Sequence, residues 1–260
     1  MIYSCCTTME HYDRVKQAGY DRIILSAVDL MSMGDDEVRK IKSKISNDCV
    51  KCSALNNFCT GDLKLCGPDF DIHLVREYCL RLMERSAVLG IKNIGVGAPL
   101  SRSIPDGYQI DRALEEIKQS LSVACIEAAK FGQNILLEAV CDMECNFITT
   151  TDEAFAIVQS LNVENIHLVY DTYHASKMNE NELPLLKAFH EVKLIHVAQD
   201  IEETRRFPQE DFLDGQRVYF DALCSAGYNG EISVEADPIN LEEELKNTLQ
   251  ILKTLCGEAG

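Results

Sequence analysis

Four side chains that can bind metal stand at the ends of short apolar runs lying far apart in the sequence. The run ILLE ends at Glu138, NIHLVYD at Asp171, VKLIH at His196 and EISVE at Glu235. A charge at the end of a buried segment needs a partner, because desolvating it alone is costly. Three carboxylates and one imidazole suit hard or borderline divalent ions such as Mn²⁺, Mg²⁺ or Co²⁺. The pattern therefore predicts a metal centre built from four distant segments.

A cation held by such a set supports proton transfer next to a carbonyl group. It polarises a substrate oxygen and stabilises the negative charge of an enediolate. Two of the predicted ligands, Glu138 and Glu235, can also move protons at a substrate carbon. The charge of the ion offsets the repulsion between the carboxylates, which lets them lie close together.

Strand and helix patterns alternate along the whole chain. Strand-like runs cover residues 2–6, 22–27, 51–57, 92–96, 135–138, 165–170, 192–197 and 231–235. Each is followed by a helical pattern, and eight such units predict an α/β fold, a single (β/α)8 TIM barrel over residues 1–260. The strands of such a barrel end at one face, where the four ligands would meet. The alternative is a doubly wound open sheet, but no GxGxxG or P-loop motif follows an early strand.

The composition excludes several classes of protein. The net charge is −17 and 46% of the residues are hydrophobic. This acidity disfavours binding to nucleic acid or an anionic membrane, and it favours neutral sugars over phosphorylated ones. No run approaches the roughly 20 apolar residues of a membrane span, and the first residues do not read as a signal peptide. We therefore expect a cytoplasmic protein whose twelve cysteines are reduced, including the isolated CxxC of Cys49 and Cys52.

Segments around the predicted ligands resemble those of a known enzyme family. The segments are LLEAVCDMECNF, VYDTYH, HVAQ, RRFP and SVEAD. In them the chain resembles the sugar phosphate isomerase/epimerase family with the xylose isomerase-like barrel. Its pattern is close to that of ketose 3-epimerases such as D-tagatose/D-psicose 3-epimerase. The loops GDLKLCGPD and SRSIPDG are also similar, so the resemblance covers nearly the whole chain.

The resemblance implies a metal-dependent isomerase or epimerase. Glu138, Asp171, His196 and Glu235 would hold one divalent ion, with Mn²⁺ expected and Mg²⁺, Co²⁺ or Zn²⁺ as alternatives. The substrate would be a ketose or a related polyol whose carbonyl the metal binds. Glu138 and Glu235 would be catalytic, one removing a proton from the adjacent carbon and the other returning it on the opposite face.

The resemblance also implies three substrate-binding residues, namely Glu144, His174 and Arg206. Two departures from the family pattern affect this assignment. The stretch between His196 and RRFP is longer than is usual, so Arg205 is the alternative to Arg206. The chain also has Cys-Asp where the family often has Asn-Arg, which leaves the preferred sugar open.

Other functions use the same scaffold. A dehydratase of an inosose-like ketone would need the same metal and bases. A DNA-repair endonuclease would share the DTYH pair, but its further histidines after the third and fourth strands are missing, and the net charge of −17 opposes DNA binding. A sugar-binding barrel without activity is a further alternative, against which the retained ligands argue. By analogy with this scaffold, the expected assembly is a homodimer.

Overall fold

Eight parallel strands close into a barrel in the computed structural model, which describes residues 1–258. The chain order is also the order around the barrel, since each strand pairs with the next and the last pairs with the first. The barrel strands are β1 (Ile2–Cys6), β2 (Arg22–Ser26), β3 (Lys51–Asn56), β4 (Asn93–Val96), β5 (Asn134–Glu138), β6 (Ile166–Asp171), β7 (Val192–Val197) and β10 (Glu231–Val234). The predicted (β/α)8 fold is therefore confirmed.

Helices surround the barrel, and most follow the predicted patterns. They are α1 (Tyr12–Ala18), α2 (Ala27–Ser32), α3 (Asp35–Ser46), α4 (Ile72–Val88), α5 (Pro99–Arg102), α6 (Ile110–Ala129), α7 (Thr151–Leu161), α8 (Thr172–Lys177), α9 (Glu182–Ala188), α10 (Phe212–Ser225) and α11 (Leu241–Leu255). Three short helices, α2, α5 and α8, were not predicted, because so few residues carry no helical periodicity. The sequence pattern predicted the start of helix α10 at Gln216, and the helix begins four residues earlier, at Phe212. Among the helices of residues 1–258, none is both long and apolar enough to span a lipid bilayer.

A small apolar cluster fills the barrel interior beneath the predicted ligands. It consists of one inward-facing residue from each of five strands, namely Ile24, Ala54, Leu136, Val169 and Leu194. In three of these strands a predicted ligand follows two residues later. Successive side chains of a strand point to opposite faces, so a residue two positions on also faces the interior. The apolar packing therefore directs these ligands into the mouth of the barrel.

A β-hairpin interrupts the connection between β7 and α10. It consists of β8 (Gln199–Ile201) and β9 (Thr204–Arg206), which pair antiparallel. The two glutamates between the strands have φ angles of 52° and 61°. A tight hairpin requires positive φ at its turn residues, a conformation that Gly and Asn adopt far more readily than Glu. The hairpin places consecutive residues of β9 on opposite faces.

Candidate metal centre

The four predicted ligands meet at the carboxyl-terminal mouth of the barrel. Each offers one ligand atom, and the four atoms lie within 4.8 Å of one another. The Nδ1 atom of His196 lies 2.9 Å from Glu138 Oε1 and 3.2 Å from Glu235 Oε2. Glu138, Asp171 and His196 are buried, whereas Glu235 is partly exposed. The convergence expected from the strand ends is thus present.

Opposite charges balance one another within this cluster. Burial alone would disfavour a charge on each group. Burial opposes a charged imidazole, but Glu235 and Glu138 outweigh it and raise the pKa of His196 well above its usual value. Burial likewise opposes a charged carboxylate, but His196 and Arg205 hold the pKa of Glu235 below its usual value. Carboxylates packed this closely need positive charge between them.

The donor atoms of the cluster fit a divalent cation. Carboxylate oxygens and an imidazole nitrogen are ligands for Mn²⁺, Co²⁺ and Zn²⁺. The Nε2 atom of His196 is buried and has no hydrogen-bond partner among residues 1–258. This buried ring nitrogen can bind a metal ion once the imidazole has lost its proton. Glu138, Asp171, His196 and Glu235 together can hold one ion.

The guanidinium of Arg205 lies beside three of the groups at this mouth. Its Nη2 donates to Asp171 Oδ2 at 2.5 Å and to Glu235 Oε2 at 2.7 Å. Its Nη1 lies 3.1 Å from His174 Nε2, and the group stacks on the Tyr173 ring 4.8 Å from the centroid. Burial opposes its charge, but the Asp171 and Glu235 carboxylates raise the pKa of Arg205 further above its usual value. Arg205 is a permanent cation within reach of the cavity.

Arg206, the residue selected by the RRFP motif, does not reach the ligand cluster. Its Nη1 donates instead to the backbone carbonyl of Asp237 at 3.4 Å. Arg205 and Arg206 are neighbours on β9, so their side chains point to opposite sides of the hairpin. Arg205, the alternative residue, therefore faces the ligand cluster. The motif had predicted Arg206 for this position.

A cavity of about 440 Å³ opens above the ligand cluster, a volume typical of small-molecule sites. Both other predicted substrate-binding residues line it. His174 is buried in the first turns of α8, and its Nδ1 lies 3.3 Å from Cys141 Sγ. Glu144 is exposed at the rim. The predicted ligands and two of the three predicted substrate contacts therefore share one mouth.

Two residues position the glutamates without belonging to the predicted set. Asn56, the last residue of β3, donates from Nδ2 to Glu235 Oε1 at 2.5 Å. Arg102 is fully buried, and its Nη1 donates to the backbone carbonyl of Glu138 at 2.8 Å. Nothing in the sequence singles out Arg102, because arginine is normally exposed.

Gly97, which follows β4, leaves the space that the Glu138 carboxylate occupies. A Cβ atom at this position would lie 2.8 Å from Glu138 Oε2. We expect Gly97→Ala to displace the Glu138 carboxylate and to weaken metal binding by about tenfold. This factor is the lower end of the effect seen when a residue that orients a metal ligand is lost. Calorimetric titration of the metal-stripped protein with Mn²⁺ measures this change.

The matched control for Gly97→Ala is Gly215→Ala on the exposed side of α10. A Cβ atom there would meet no atom within 4 Å. This variant should bind Mn²⁺ as the wild type does, and its helix should gain about 0.5–1 kcal/mol. Equal Mn²⁺ affinity in both variants would contradict the role given to Gly97.

Comparison with known proteins supports the same family. Residues 12–255 match the family model described as xylose isomerase-like TIM barrel. An inosose isomerase of Bacillus velezensis is 31% identical over 171 residues, which cover 59% of this chain and 56% of that protein. The chain thus aligns with little more than half the length of this relative.

Two solved structures share the architecture. IolI protein with a zinc atom has a TM-score of 0.82 at 19% identity, covering 99% of both chains. D-allulose 3-epimerase from Methylomonas sp. in complex with D-allulose has a TM-score of 0.83 at 18% identity, covering 98% of this chain and 96% of that one. At such identities the likeness shows the fold alone. The family model, however, matches almost all of the sequence, and the chain therefore belongs to the xylose isomerase-like TIM barrel family, as the resemblance of its motifs predicted.

Proposed function

We propose that this protein is a divalent-metal-dependent isomerase or epimerase of an unphosphorylated ketose or related polyol. The observation that carries the proposal is the cluster of Glu138, Asp171, His196 and Glu235, whose ligand atoms lie within 4.8 Å of one another. Two of them, Glu138 and Glu235, line the cavity. The activities named for the relatives, inosose isomerase and D-allulose 3-epimerase, support a reaction of this class. Of the available ions, Mn²⁺ suits the oxygen-rich set.

In this proposal, Glu138 and Glu235 move a proton across the substrate. Glu138 ends β5 and Glu235 follows β10, and two strands separate these elements around the barrel. The carboxylates thus approach the site from different directions while both contact His196 Nδ1. A bound divalent ion would polarise the substrate carbonyl and lower the cost of deprotonating the neighbouring carbon. One glutamate accepts that proton and the other delivers a proton to the opposite face.

The remaining side chains of the mouth orient the substrate. Arg205 offers donors that match sugar oxygens, and His174 adds a ring nitrogen beside it. Glu144 at the rim can accept hydrogen bonds from hydroxyl groups. Asp29 and Asp237 also line the cavity, and their charge disfavours a phosphorylated substrate.

Solvent deuterium tests this function directly. We expect the Mn²⁺-loaded protein to convert at least one member of a panel of ketoses and inososes in D₂O. The isolated product should carry one deuterium bound to carbon, because the proton passes through a carboxylate that exchanges with solvent. Mass spectrometry and chromatography report the product.

Conversion without deuterium incorporation would contradict the proton-transfer scheme. Loss of water from the product would instead identify a dehydratase. Failure of every ketose and inosose in the panel, with metal bound, would contradict the substrate class. A matched sample of Glu138→Gln controls for exchange that the enzyme does not catalyse.

A further inference from the structure

A thiol lies beside the ligand cluster and has no place in the proposed reaction. Cys6 is the last residue of β1 and lines the cavity. It packs on the apolar cluster of the barrel interior, so its side chain faces inward. Its Sγ lies 3.6 Å from the Ser233 hydroxyl, also on the interior face. Cys6 is thus the contribution of β1 to the mouth that holds the four ligands.

Cys6 belongs to a second group of possible metal-binding residues, which shares members with the four predicted ligands. Cys6, His196 and Glu235 each offer a ligand atom, and the three atoms lie within 4.8 Å of one another. His196 and Glu235 belong to both sets. Two of the four predicted ligands therefore also lie close enough to the Cys6 sulfur to share an ion with it. His196 also has a buried ring nitrogen, Nε2, with no partner among the described residues.

We propose that Cys6 supplies a thiolate to the divalent ion and shifts the preference of the centre from Mn²⁺ and Mg²⁺ towards Zn²⁺ and Co²⁺. Sulfur is a soft donor that selects the more thiophilic ions, whereas carboxylates alone favour hard ones. On binding, the thiol releases its proton to solvent and the sulfur bonds to the metal. The inference rests on the proposed metal centre and adds a ligand that the sequence motifs did not indicate.

A second thiol near the mouth provides the matched control. Cys141 is buried and its Sγ lies 3.3 Å from His174 Nδ1. It groups with His174 and Glu144, a set that shares no member with the four ligands. Cys141→Ser therefore removes a thiol near the mouth, one more buried than Cys6, without removing the proposed sulfur ligand.

Titration of the metal-stripped, full-length protein with Co²⁺ tests the assignment. We expect the wild type to develop visible d–d bands and a near-ultraviolet sulfur-to-cobalt charge-transfer band, both complete at one equivalent. Cys6→Ser should keep the d–d bands and lose the charge-transfer band, whereas Cys141→Ser should keep both. Retained d–d bands in Cys6→Ser also show that the variant is folded.

Competition between the two ions measures the affinity for Zn²⁺ relative to Mn²⁺. This ratio should fall at least about tenfold in Cys6→Ser. Loss of a residue that only supports a metal ligand already weakens metal binding by this factor, and Cys6 would be a ligand itself. X-ray absorption of the Zn²⁺-loaded wild type should show a sulfur neighbour at about 2.3 Å, and this measurement does not depend on any variant.

The possible outcomes separate the two proposals. Cobalt d–d bands without a charge-transfer band, or zinc with only oxygen and nitrogen neighbours, would overturn the role of Cys6 and leave the metal centre intact. A charge-transfer band that survives Cys6→Ser and disappears in Cys141→Ser would assign the sulfur to Cys141 instead. No cobalt binding by the wild type would overturn the metal centre itself, and with it the proposed function.

Discussion

Glu235→Gln is expected to lower turnover by about 10²–10⁴-fold, the usual contribution of a general acid or base, and to abolish tight metal binding. The substitution keeps the shape of the side chain and its contact with Asn56, but it removes the negative charge next to His196 and Arg205. Both the metal ligand and the proton acceptor are then lost. Turnover in the ketose assay and metal content by mass spectrometry measure the two effects.

Glu231→Gln, in the strand that Glu235 follows, is the matched control. Glu231 is also buried, but it lies at the opposite end of β10, where its carboxylate accepts hydrogen bonds from Ser53 and Arg22. Its loss should lower the melting temperature without changing the metal content or the turnover of the folded protein. A Glu235→Gln variant that keeps its metal and its full turnover would refute the assignment of this glutamate.

Arg205→Ala is expected to reduce kcat/KM by about 10²-fold, while Arg206→Ala should change it by less than about twofold. A charged hydrogen bond is worth about 1.5–3 kcal/mol, and each 1.36 kcal/mol corresponds to a factor of ten. Arg205 faces the ligand cluster and Arg206 faces Asp237, although the two are adjacent. Steady-state kinetics with the substrate found in the ketose panel measure both variants.

Arg206→Ala also controls for damage to the hairpin, because it removes one arginine from β9 just as Arg205→Ala does. Arg205→Lys should recover only part of the activity, since an ammonium cannot bond two neighbours in the planar geometry of a guanidinium. A larger loss in Arg206→Ala than in Arg205→Ala would restore the assignment made from the RRFP motif.

The parts of the site that the sequence predicted depend on patterns within single strands. Each apolar run ends at its ligand, and inward-facing positions recur every second residue, so Glu138, Asp171 and His196 follow from the strands that carry them. Their convergence follows from the closure of a parallel barrel. These features need no knowledge of any long-range contact.

The parts that were missed depend on geometry that the sequence does not record locally. The choice between Arg205 and Arg206 is a shift of one residue in the register of a short hairpin, and such a shift reverses the faces of a strand. Arg102 is buried because backbone carbonyls, including that of Glu138, surround it. Cys6 became a candidate only when the closure of the barrel placed β1 beside β10.

The order of the strands around the barrel separates two arcs of the rim, with β1 lying between β10 and β2. Glu138, Asp171, His196 and Glu235 all belong to the arc of β5, β6, β7 and β10. The opposite arc of β2, β3 and β4 contributes Asn56 and cavity-lining residues such as Asp29, Asn57 and Pro99, and no member of the four-ligand set. A substitution in the loops of that second arc therefore alters the cavity wall without removing a predicted ligand, except at Asn56 and Gly97, which contact Glu235 and leave room for Glu138.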